Sequence, residues 1–409
     1  MGSSISREGD DISIRGRPKQ QYLLQNQTTY EEKPQIHHVR INSQNHLLLF
    51  GYTNHQTPNL LFSSHIYLIK KVLFLYDHFL ILSDNGSVWS CGDNTNGKIG
   101  QGDISRHDAL VKLQVDIVRD IKSNGLICFL LLHNGSVCAF GKNDFFNYLP
   151  DVFSTPTVIH CLQNAVDIVL NRQNIVVTFK NKAEVYKVHN TSKPLNLAHH
   201  TIAASLEKWN IVSQIDKRTI LIAQQDDFFH DVFSLQLPGL IKSINSCDEC
   251  TFCLLEKFDE NNSNVYISGQ ENNDLSGIGK MKIQPTRTIS PLSSLKGKYV
   301  HKIESGIRHV LFLVKEGKED IVYCAGSNEC KQLGTSAPSY SDEVVELKWR
   351  NSLSDDMSYL STWKIESVGC HGSNTFIWLT NEGYDFYSLL LKNEQYHDIS
   401  ITTFVGSLH

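Results

Sequence analysis

The chain has 409 residues and a net charge of −5, with 41% hydrophobic, 20% charged and 10% aromatic residues. It is too long for one ordinary core, so either several domains or a repeat architecture is expected. The small negative charge offers no global attraction to nucleic acid, and without an apolar run of about 18 residues no transmembrane helix is predicted.

The first residues, MGSSISREGDD, lack the apolar stretch of a secretory signal. An intracellular protein, cytoplasmic or nuclear, is therefore expected. Its Asn-x-Ser/Thr triplets at Asn26, Asn85, Asn134, Asn190 and Asn261 should be unglycosylated, and its ten cysteines should be reduced. Gly2 followed by Ser6 fits the N-myristoylation pattern, which makes Gly2 a candidate lipidation site. One acyl chain binds membranes only marginally, so membrane association is expected only if Gly2 is acylated. Residues 1–35 are polar, poor in aromatics and without apolar period, and read as a disordered leader. Residues 36–409 then form a single domain.

Along that domain the sequence copies itself. DNGSVWSCGDN at 84–94 and HNGSVCAFGKN at 133–143 are near duplicates, preceded by the apolar runs FLILS and FLLL. Asn85-Gly86 and Asn134-Gly135 suit two-residue type I′ hairpin turns, and the flanking runs suit β-strands. Weaker copies are LLLFGYTN at 47–54, VYISGQENNDLSGIG at 265–279 and VYCAGSNECKQLG at 322–334. Upstream of each hairpin runs a column of the form Gly-x-x-His, as in Gly306-Ile-Arg-His309. Its other members are His78, Cys128, Asn174, Asn210, Cys250 and Asn374. The irregular spacing of about 50 residues fits one four-stranded propeller blade per repeat.

Two segments carry a family resemblance. Val88-Trp-Ser-Cys-Gly92-Asp-Asn94-Thr-Asn-Gly97-Lys-Ile-Gly100 and Val322-Tyr-Cys-Ala-Gly326-Ser-Asn328-Glu-Cys-Lys-Gln332-Leu333-Gly334 resemble the repeat of the regulator of chromosome condensation family. Gly141, Asn143, Gly269, Gly306 and His309 occupy matching positions. The resemblance implies an all-β fold: a seven-bladed β-propeller of four-stranded blades, with N- and C-terminal strands sharing the closing blade. Blades within about 160–245 match weakly, having lost most glycines.

No catalytic constellation emerges, and neither a cofactor nor a metal is expected. Cys247-Asp-Glu-Cys250-Thr-Phe-Cys253 has metal-like spacing, but its register lies along a strand, which points alternate residues to opposite faces. His78 and His309 recur in register and read as buried braces of the blade. Acidic clusters at Asp226-Asp227, Glu316–Asp320 and Asp355-Asp356 read as solvated loop tips. The insertions near 256–264 and 335–362 are the expected partner-binding loops. The expected function is a non-catalytic, monomeric protein-interaction scaffold, not an enzyme. The resemblance implies an alternative, guanine nucleotide exchange on a small GTPase, and it also brings chromatin in as a partner. None of that family's GTPase-contacting residues maps onto this sequence.

Overall fold

The computed structural model describes residues 37–380 except 41–44, 52–68, 76, 172, 189–194, 197–202, 207–209, 225–231, 248–249, 258–260, 270–287, 318, 335–339, 354 and 372. Gly2, the leader at 1–35 and the Asp226-Asp227 cluster lie outside the described residues. The runs His78–Ser83 and Ile127–Leu132 are strands buried at every position. Their unbroken apolar character follows from burial on both faces of the sheet.

Six antiparallel sheets are each built from four consecutive strands. Sheet I comprises Ile69–Leu75, His78–Ser83, Val88–Gly92 and His107–Lys112. Sheet II comprises Val118–Ser123, Ile127–Leu132, Val137–Lys142 and Val152–Val158. Sheet III comprises Asp167–Leu170, Asn174–Thr178, Ala183–Lys187 and Leu195–Asn196; sheet IV comprises Ala203–Leu206, Asn210–Gln214, Thr219–Gln224 and Val232–Gln236. Sheet V comprises Ile241–Ser246, Cys250–Leu255, Val265–Gly269 and Ser290–Pro291; sheet VI comprises Tyr299–Ser305, His309–Glu316, Glu319–Ser327 and Tyr340–Glu346. A further four-stranded sheet, VII, is composite. Its first two strands are Lys364–His371 and Asn374–Thr380, and Asn45–Gly51 and His37–Arg40 complete it.

The first strand of each sheet touches the first strand of the next in cyclic order, and that of sheet VII touches that of sheet I. The molecule is an all-β propeller. Its core lies in the clefts between successive sheets. One apolar cluster fills the clefts from sheet I to sheet III, and smaller ones follow between III and IV, IV and V, V and VI, and VI and VII. Phe376 and Trp378 of sheet VII pack with Phe79 and Cys91 of sheet I.

The column residues acquire a common place. His78, Asn174, Asn210, Cys250, His309 and Asn374 each open the second strand of their sheet. Four copies of the repeat glycine pair across from that strand opening: Gly92 with His78, Gly269 with Cys250, Gly326 with His309, and Gly51 with Asn374. In sheet II the partner of Gly141 is Ile127, so Cys128 sits one residue out of the column. In sheets III and IV, Lys187 and Gln224 replace the glycine.

Other expectations change as well. The hairpins are not two-residue type I′ turns. Ser83 and Ser87 close a three-residue loop, Asp84-Asn85-Gly86, in which Gly86 has φ 80° and Asn85 stays out of the left-handed region. Leu132 and Ser136 repeat that closure around Gly135, φ 85°. This is the type I turn plus left-handed glycine that suits three-residue hairpins. The stretch 335–362 is not one free loop. It supplies the outer strand Tyr340–Glu346 and two 3-10 turns, and buried Trp349 and Leu360 pack with Trp363 in the cleft between sheets VI and VII. Finally, Cys247 and Cys250 share the cleft between sheets V and VI, whereas Cys253 faces the opposite cleft.

Candidate interaction loops and central channel

The repeat asparagines organise the loops between third and fourth strands. Asn94 Nδ2 donates to the Asp103 carbonyl (2.8 Å) and to its Oδ1 (2.7 Å), while the Ile99 amide donates to Asn94 Oδ1 (3.1 Å). Asn328 holds its loop the same way, accepting from the Leu333 amide at 2.7 Å and donating to the Gly334 carbonyl at 3.1 Å. Asn143 accepts from the amides of Phe145 and Phe146 and donates to the carbonyls of Phe146 and Pro150. Gly97, Gly100 and Gly334 take φ of 70°, 72° and 84° within these loops. Gly306 donates its amide to the His309 carbonyl at 2.9 Å, closing the turn before the second strand.

The loop of sheet I has further ties. Beyond Asn94, Gln101 Nε2 donates to Ser90 Oγ and the Val111 carbonyl, and Ser105 donates its amide to Asp103. The Gly102 amide reaches sheet II, donating to the Ser154 carbonyl at 2.8 Å. On this fixed loop Ile104 is 70% exposed. A rigid loop with an uncovered apolar side chain loses little entropy on meeting a partner.

Next to that loop lies a charged cluster. His78, fully buried, bonds Asp77 at 2.9 Å, and Lys98 bridges Asp77 (2.8 Å) and Asp93 (2.6 Å). Burial pushes the Asp77 carboxyl up, but His78 and Lys98 outweigh it and hold it down at about 2. Burial lowers His78 below the ordinary imidazole range. His309 braces two sheets, its Nε2 lying 2.9 Å from Thr375 Oγ1, and burial lowers its pKa to about 4.

The first strands surround the central channel and share a device that no sequence motif announced. Register slips near the start of the first strand in five sheets, placing Lys70, Arg119, Lys242, His301 and Glu366 in β-bulges. Three of these side chains clasp the next sheet. Lys70 Nζ donates to the Arg119 carbonyl at 2.8 Å, Arg119 to the Val166 carbonyl at 2.7 Å, and Lys242 to the His301 carbonyl at 2.8 Å. Just inside run ion pairs between neighbouring sheets, Lys71–Asp120 at 2.8 Å and Lys122–Asp167 at 2.9 Å. Lys302 donates to Ser367 Oγ and the Val368 carbonyl.

The first strands therefore carry Lys70, Lys71, Arg119, Lys122, Lys242, Lys302 and Lys364 against Asp120, Asp167, Glu304 and Glu366. That surplus of three positive charges sits in a chain whose net charge is −5. Burial and the neighbouring Lys122 lower Lys71. Burial also works against Lys122, but Asp167 and Asp120 outweigh it and raise that ammonium. Among the described residues no group of three or more His, Cys, Asp and Glu is placed to hold a metal ion.

The Regulator of chromosome condensation (RCC1) repeat family matches residues 76–98, which span the second and third strands of sheet I and the start of its Asn94 loop. Among solved structures the chain is similar to Prp20p from Saccharomyces cerevisiae. That comparison gives 14% identity and a TM-score of 0.60, covering 79% of this chain and 85% of that one. The yeast protein is described with its binding to Gsp1p and histones. Human WBSCR16 is similar at 13% identity and a TM-score of 0.58, covering 77% of this chain and 87% of that one. No curated protein sequence matches.

Proposed function

We propose that this chain, which is a divergent RCC1-type β-propeller, works as a non-catalytic, monomeric and intracellular protein-interaction scaffold. In this reading the seven sheets are seven blades of one ring closed through the composite sheet, a rigid frame for the loops. The observation that carries the proposal is Ile104. It is a large apolar side chain left 70% exposed on a loop fixed by Asn94, Gln101, Gly102 and Asp103. A pre-organised apolar side chain meets a partner with little ordering cost.

Affinity capture with the wild type and with Ile104→Asp tests it. The expected result is loss of one specific protein from the variant at unchanged melting temperature, since an exposed position tolerates the change within about 0.5 kcal/mol. Equal recovery by both forms would sink the idea.

A second reading, regulation of a small GTPase, is supported by the RCC1 repeat at 76–98 and the fold shared with Prp20p. It expects the captured protein to be a GTPase held preferentially in its nucleotide-free form. Capture of histones instead would favour a chromatin partner.

A further inference from the structure

In sheets I to VI the third strand directly follows the second in sequence, but in sheet VII that order is broken. There the second strand, Asn374–Thr380, takes Asn45–Gly51 from the other end of the sequence as its third. The residues after Thr380 lie outside the described residues, yet their sequence repeats what other sheets use at this point. The turns after the second strand read Asp84-Asn85-Gly86 in sheet I and His133-Asn134-Gly135 in sheet II. Each begins one residue beyond the strand end, Ser83 or Leu132. One residue beyond Thr380 begins Asn381-Glu382-Gly383, with its glycine in the same place. A run rich in strand-forming residues, Tyr384-Asp-Phe386-Tyr387-Ser-Leu-Leu-Leu391, comes next. Two segments of one chain are thus suited to the same edge.

Register shows which fits better. In sheet I the pairing beyond the turn runs from Leu82 with Val88 to His78 with Gly92. The same turn after Thr380 sets Leu379 opposite Asp385, Ile377 opposite Tyr387 and Asn374 opposite Leu390. Asn374 instead pairs with Gly51. At the corresponding Gly92 and Gly141 a Cβ would run into the carbonyl oxygens of Asp77 and Leu126, so Leu390 is a poor substitute for Gly51. Asp385 falls where Val88 and Val137 are buried, and burying an unpaired carboxylate is costly. Connectivity favours the other segment. The turn 381–383 loses less entropy on closing than the link 52–68 that ties Gly51 to sheet I, an advantage of about tenfold.

We propose that residues 384–390 are a reserve third strand for sheet VII, pairing with Asn374–Thr380 when Asn45–Gly51 is withdrawn. The N-terminal strand is the ground state because Gly51 fits the tight place opposite Asn374 and Leu390 does not. Exchange keeps the edge of Asn374–Thr380 covered, which avoids an open strand edge, while the residues up to Gly51 leave the sheet. The device is independent of the scaffold reading and does not involve Ile104.

Hydrogen exchange on the full chain, read by peptide mass spectrometry, tests it. In Gly51→Val, residues 45–51 should lose protection and 384–390 should exchange about tenfold more slowly than in the wild type. Protection of 374–380 should persist in that variant. Adding Phe386→Pro, which removes a ladder donor, should then speed exchange in 374–380. A second measurement does not depend on the Gly51 variant. Ile377→Cys combined with Tyr387→Cys places two thiols opposite each other in the exchanged sheet, and mild oxidation should cross-link them; Ile377→Cys with His397→Cys is the control. The proposal is overturned if 384–390 exchanges equally fast in Gly51→Val and wild type, or if Phe386→Pro changes nothing in that background. It is overturned equally if the Tyr387→Cys pair cross-links no better than the His397→Cys control.

Discussion

Replacing Gly92 by alanine tests whether the repeat glycine is demanded by dihedral angle or by close approach. Gly92 ends the third strand of sheet I with φ 108°, a region alanine enters at a cost of about 1–2 kcal/mol. A Cβ there would lie 2.4 Å from the Asp77 carbonyl oxygen and 2.5 Å from His78 Cα. Both are backbone atoms, and the Asp77 carbonyl already accepts from the Asp93 amide at 2.9 Å, so relief means moving the turn itself. Forced repacking of this kind adds about 1–3 kcal/mol, for roughly 2–5 kcal/mol in total. Gly317 is the control: its φ is also positive, 65°, yet nothing lies within 4 Å of its Cβ position, so Gly317→Ala should cost only about 1–2 kcal/mol. At about 2–4 °C per kcal/mol for a large domain, Gly92→Ala should melt well below Gly317→Ala by scanning calorimetry. Equal losses in the two variants would refute the close-approach argument.

Two further outcomes follow from buried groups. His309 titrates at about 4 when folded, against an ordinary 6.5, so the unfolded chain binds the extra proton as pH falls between those values. Stability is then full above about pH 6.5 and lost progressively toward pH 4, at roughly 1.4 kcal/mol per pH unit for this group. His309→Gln should flatten part of that slope in urea titrations, with His78 supplying the remainder, and an unchanged slope would contradict the assignment. Burial raises the thiols of Cys128, Cys253 and Cys324 to about 12, whereas Cys161 is exposed. Iodoacetamide on the native protein should therefore label Cys161 before these three, read by peptide mass spectrometry.

Much of the fold was legible because the repeat glycines and asparagines do jobs no other residue does as well. Gly92 and Gly326 meet the opening of the second strand at positive φ, and Asn94 and Asn328 replace missing backbone partners inside a loop. Where those jobs lapse the sequence falls quiet: Lys187 and Gln224 stand in the glycine's place, so sheets III and IV were traced only by their apolar strands. The tryptophans of 349–363 read as an insertion because burial by a neighbouring sheet leaves no periodic mark. The channel was less legible still. Its clasps use Lys70, Arg119 and Lys242, while the equivalent bulges of two other sheets carry His301 and Glu366. The backbone slip recurs, but no side-chain type does. Lys71 and Lys122 carry no motif, and their ion pairs with Asp120 and Asp167 come from neighbouring sheets that the sequence alone does not bring together.

The composite sheet sets a timetable for the molecule's birth. Asn45–Gly51 finds its partner only when Asn374–Thr380 has been made. At roughly 5–20 residues per second on the ribosome, that is a wait on the order of tens of seconds. During that time an early strand has an open edge, and the cleft destined for Phe376 and Trp378 is wet at Phe79. Premature termination before residue 374 would leave most sheets complete and still strand the first-made strands without a neighbour. Such a product invites aggregation or capture by chaperones.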